Sequence, residues 1–97
     1  MDAQGQRIID LFTEASTSAR CGDYGRAALS INSSILRFEQ FMKQEGQRQR
    51  LKEFGPKMTY SLETLLLMLE RKDWVAAADV IDYEFIPLWK QTLSYEV

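Results

Sequence analysis

The sequence predicts an all-α protein, an antiparallel up-and-down four-helix bundle built from two similar helical hairpins. Three features point to it. The phrase "GDYGRAALSINSSIL" at Gly22 returns fifty positions later as "KDWVAAADVIDYEFI" at Lys72. Apolar residues recur at spacings of three and four through four separate stretches, the period of a half-buried helix. The joints inside each pair of stretches, around Cys21–Gly22 and Arg71–Lys72, are very short, which suits antiparallel neighbours. At 97 residues the chain is expected to make one domain over 1–97, with hairpin 1 at about 4–46 and hairpin 2 at about 48–95.

Taken in order, the first helix carries the stripe Ile8, Phe12, Ala15 and Ala19 and stops at "ARCGD", where Gly22 supplies a left-handed residue. The second opens on Asp23 as N-cap with Tyr24 at the first helical position. Its stripe is Ala27, Ala28, Ile31, Ile35, Phe38 and Met42. The third carries Met58, Leu62, Leu65, Leu66 and Leu69 and ends in Arg71 and Lys72, cations that suit a helix C-terminus. Leu51 and Phe54 extend it backwards, and Gly55-Pro56 marks either a kink or its true start. The fourth repeats the cap with Asp73 and Trp74, followed by Ala77, Ala78, Ile81, Phe85 and Leu88. Alanines at 27, 28, 77 and 78 let another helix come close. A period of fifty exceeds the tetratricopeptide period of about 34, and two copies are too few for a solenoid.

Composition excludes most chemistry. The chain has no histidine, so the commonest general base and metal ligand are missing, along with every Ser-His or Cys-His pair. There is no glycine-rich phosphate cradle and no paired-cysteine metal site. The single cysteine, Cys21, excludes an internal disulfide and sits where the negative end of a helix dipole disfavours the thiolate. No enzyme activity, cofactor or metal is therefore expected. Asp79 and Asp82 share a helix face with Glu84 nearby, a spacing able to hold a hard cation. The simpler reading is a solvated face, or one answering basic residues elsewhere.

Formal charge is −2 but unevenly spread: Lys43–Lys57 holds five basic and two acidic residues, and Asp73–Val97 five acidic and one basic. These two segments are expected to face each other inside the fold. Glutamates within the basic run argue against nucleic acid as a partner. The longest apolar run, "LLLML" at Leu65–Leu69, is far short of the roughly 20 residues of a membrane span. "MDAQGQRIID" lacks the basic start and apolar block of a secretory signal. The expectation is a cytoplasmic protein without a membrane partner.

The last helix carries more apolar residues than one stripe needs. Val75, Val80, Tyr83 and Ile86 fall outside it, and Pro87 is expected to kink the helix and re-aim Trp89, Leu93 and Tyr95. A helix apolar beyond one stripe is either central or covered by something else. Val75, Tyr83, Ile86 and Trp89 are therefore the candidate partner-binding residues, in keeping with the enrichment of Trp and Tyr at binding hot spots. The expected function is a non-enzymatic protein-interaction module that binds a partner's amphipathic helix. The alternative is a homodimeric or assembly subunit whose extra apolar face is its own interface.

The stretches "CGDYGRAALSINSSIL", "TYSLETLLLMLERKD" and "FIPLWKQTL" resemble the flagellar secretion chaperones that hold flagellin before export, a resemblance of pattern that covers about two thirds of the chain. The resemblance implies a bacterial, export-chaperone-like bundle. The family's first helix is usually longer and carries an apolar "LY" segment where this chain has "RIIDLFTEA", and "DYEFIP" departs from its pattern. No binding residue carries over.

Overall fold

Four helical rods make up the computed structural model, which describes residues 3–95. They are α1 (Ala3–Arg20), α2 (Tyr24–Met42), α3 (Arg48–Glu70), entered through a 3-10 turn at Glu45–Gln47, and a last rod in three parts. That rod runs without a break through α4 (Trp74–Asp79), a π-helical segment (Val80–Phe85) and α5 (Ile86–Ser94). The described residues contain no strand. The rods lie along the 39 Å long axis, since α3's 23 residues alone span about 35 Å.

The repeat holds down to single hydrogen bonds. At the end of α1, the Asp23 amide donates to Ser18 O at 2.9 Å and the Gly22 amide to Ala19 O at 3.3 Å. At the end of α3, the Asp73 amide donates to Met68 O at 2.9 Å and the Lys72 amide to Leu69 O at 3.0 Å. Both ends are Schellman motifs, which satisfy carbonyls that a helix end leaves without partners. The residue that turns each chain is left-handed, Gly22 at φ 82° and Lys72 at φ 57°. Each aspartate then caps the next helix: Asp23 accepts from the Arg26 amide at 3.3 Å and Asp73 from the Ala76 amide at 3.1 Å. The two turns meet, because the rings of Tyr24 and Trp74 stack with centroids 4.8 Å apart and planes 8° from parallel.

Pro56 does not start α3. The helix begins at Arg48 and carries through the proline, with Leu51 and Phe54 inside it. Gly55, lacking a Cβ, removes one of the clashes a proline makes with its predecessor. Lys52, whose carbonyl loses its donor, is exposed alongside Pro56, so water can take that carbonyl.

Small residues line the approach of α1 to α2 and α4: Ala15, Ala19, Ala27, Ala77 and Ala78 are all buried. Backbones accordingly come closest between α1 and α2, and far less close between α2 and α3. The wide side of the core is filled by rings. Phe85 packs on Phe12 and Phe38, and Trp89 is met edge-on by Phe38 and Phe41. Trp89 is fully buried and its indole N–H donates to Gly5 O at 3.1 Å. Gly5 permits that approach: a Cβ there would lie 2.7 Å from a Leu93 methyl.

The last rod corrects two expectations. Val80 and Ile86, outside the stripe of a regular helix, are buried at 6% and 9% exposure. A π turn holds about one extra residue, and one residue is about 100° of rotation, so the second half turns Ile86 inward. Pro87 neither ends the rod nor re-aims Trp89 outward. It enters α5 at its start, immediately after the π segment, where the Ile86 amide already donates five residues back, to Ile81 O. That longer reach is the physical accommodation, because in a regular helix the Pro87 ring would strike the Tyr83 carbonyl four residues back.

The expected pairing of the basic and acidic segments is also corrected. Among the described residues no side chain of 43–57 forms an ion pair with an acid of 73–95. Arg50 instead donates to Leu93 O at 3.2 Å and Tyr95 O at 3.3 Å, carbonyls at the end of α5. A cation there meets the negative end of the helix dipole.

Candidate functional site

The four candidate residues on the last rod separate into two kinds. Val75 and Tyr83 stay exposed at 62% and 73%, eight positions apart with the charged Asp79 between them. Ile86 and Trp89 belong to the core, and that burial takes them off any surface a partner could touch on the folded chain. Tyr83 and Val75 remain two isolated side chains, which singly require no explanation on a protein surface.

The acids of this rod are answered from α1. The Arg20 guanidinium lies 2.9 Å from both Asp79 Oδ1 and Asp82 Oδ2, and the Ser16 hydroxyl donates to Asp82 Oδ2 at 2.7 Å. Hydrogen bonds that Arg20 donates to Asp82 first, then to Asp79, raise the guanidinium pKa above its ordinary range. No group of three or more potential metal ligands occurs among the described residues. Asp79 and Asp82 thus tie the π segment to α1, with Arg20 outside the basic segment expected to face them. Cys21 is exposed at the end of α1.

Further exposed apolar side chains lie elsewhere, along the seam between α2 and α3. On α3, Leu51, Leu62, Leu66 and Leu69 recur on one face, with the buried Met58 completing the spacing of three and four. Leu51 and Leu66 are 48% and 47% exposed, while Leu62 and Leu69 are partly buried against the core. Across the seam α2 offers Ile35, also partly buried, with Ala28 and the half-exposed Tyr24 on the same face. From Leu51 to Leu69 the strip is about 27 Å long at 1.5 Å per residue, the length of an 18-residue helix. Exposed charges of both signs flank it, Glu39, Glu63 and Glu70 together with Lys43, Arg48 and Lys52, none with an ion pair among the described residues.

Sequence periodicity places Leu62, Leu66 and Leu69 in one stripe but assumes the stripe is covered. The signal for an open seam was present in side-chain size. Small buried residues, Ala15 and Ala19 on α1 and Ala27 on α2, let those two helices come close. Other exposed apolar residues, Leu29 with Leu36 and Tyr60 with Leu67, form pairs seven apart on single helices and build no groove.

No helix of the described residues is long and apolar enough to cross a membrane. No family model matches the chain, and no curated protein or solved structure is significantly similar to it.

Proposed function

We propose that this protein is a non-enzymatic interaction module that receives one amphipathic helix of a protein partner in the α2–α3 seam. The observation that carries this reading is the α3 row Leu51, Leu62, Leu66 and Leu69, in which Leu51 and Leu66 stay half exposed and Leu62 and Leu69 are partly buried against the core. Helix-in-groove recognition uses anchors at this spacing. In the sense of the flagellar resemblance, the partner would be an export substrate held through an amphipathic segment, and the protein a bacterial export chaperone acting in the cytoplasm.

The test is site-specific photo-crosslinking in the source cells, with the photoreactive residue at Leu66 in the seam or at Leu29 on the outer pole of α2. An amphipathic helical segment of another protein is expected to be captured from position 66 and not from 29. Flagellin as that protein would support the export-chaperone form. Capture of this chain alone from position 66 would replace the reading with the homodimer. Equal capture from both positions would remove the seam from consideration.

A further inference from the structure

On the other flank of α2, α1 and α2 enclose a cleft of about 300 Å³. Two guanidiniums line it, Arg7 from α1 and Arg37 from α2, with the carboxamides of Gln4, Gln40 and Gln44. Its floor is apolar, formed by Ile8 and Phe41, each 2% exposed. Among the described residues, no acid belongs to this lining and neither arginine has an ion pair. Gln44 Nε2 donates to Gln4 Oε1 at 3.0 Å and closes one end of the cleft by joining the end of α2 to the first turn of α1.

We propose that this cleft is an oxyanion site, in which Arg7 and Arg37 hold a small phosphate- or carboxylate-bearing ligand between α1 and α2. Two like charges placed on facing helices of one cleft repel each other, and a bound anion turns that repulsion into attraction. Guanidinium suits the task because its planar fork matches carboxylate and phosphate oxygens two at a time. The glutamines add neutral donors, and the apolar floor keeps water from screening the anion from below. The volume admits a small metabolite and no more. A second cleft further along the same groove makes the contrast. It is lined by Glu14 and Arg26 with Thr13, Thr17, Ser18 and Ser30, so its charges compensate each other without a ligand.

Isothermal titration with inorganic phosphate and with succinate, against chloride at equal ionic strength, tests the site. The proteins are the full chain, Arg7→Gln, Arg37→Gln and the double variant, with Arg26→Gln as control. Both arginines are exposed and unpaired among the described residues, so the variants should keep the parent far-UV circular dichroism. The expected result is saturable binding of one anion, weakened at least tenfold by each single substitution and unaffected by Arg26→Gln. Tighter phosphate assigns a phosphorylated ligand, and tighter succinate a carboxylic acid. Heats no different from chloride, or equal binding by the double variant, would overturn the proposal.

Discussion

Lys72 is the residue where the repeat is imperfect. It occupies the left-handed position that Gly22 occupies in the first turn, and a side chain there costs about 1–2 kcal/mol. Because Lys72 is exposed, no packing is lost when its side chain is removed. Lys72→Gly should therefore raise stability by about 0.5–1 kcal/mol after the added freedom of the unfolded glycine is deducted. Gly22→Ala should lower it by about 1 kcal/mol, with nothing near the new Cβ to complicate the backbone effect. Urea unfolding of both variants measures the pair. Opposite signs are required, and a loss of stability in Lys72→Gly would contradict the turn geometry described above.

At the level of the element, the last rod shows how a proline is housed inside a helix. A proline in a regular helix interior costs about 3 kcal/mol or more, from a lost hydrogen bond and a steric clash. Here the π segment precedes it, and Asp82 within that segment is held by Ser16 and Arg20 of α1. Much of the usual cost has thus been removed before the proline is reached. Pro87→Ala should change stability by less than about 1 kcal/mol, read as the shift in urea midpoint at constant slope. A gain near 3 kcal/mol would mean that the clash persists and the wide turn does not relieve it. The same segment explains why Ile86 and Val80 were misplaced by periodicity: a wheel of constant pitch has no place for one extra residue in a turn.

Across the whole molecule, the two hairpins are joined where their turns meet. The Tyr24–Trp74 stack links helix starts that are fifty residues apart in sequence. Tyr24→Ala, Trp74→Ala and the double variant form a cycle whose coupling should be about 0.5–1 kcal/mol, the lower part of the aromatic-pair range, since Tyr24 is half exposed. Additive effects of the two substitutions would show that the stack is incidental to the docking of the hairpins. The remaining large-scale feature is asymmetry about α2. Its α1 side is tight and carries the Arg7–Arg37 cleft, and its α3 side is wide and carries the apolar seam.

The helices, their order and the Asp23 and Asp73 caps were determined by the sequence alone, whereas the start of α3 was not. Those are local matters: an aspartate before a helical stripe, a glycine after one, and a short joint between two stripes suffice to specify them. Burial of Ile8, Phe12, Ile31, Phe38, Met58 and Leu65 follows from the 3.6 period in the same way. The tertiary structure decided which apolar residues lie open. Exposure depends on the distance between neighbouring helices, and that distance is set jointly by side chains far apart in the chain, alanines between α1 and α2 and large rings beside α2 and α3. For the same reason Leu66 became a surface residue, whereas Trp89 lies in the core after a π segment that breaks the regular period of the last rod.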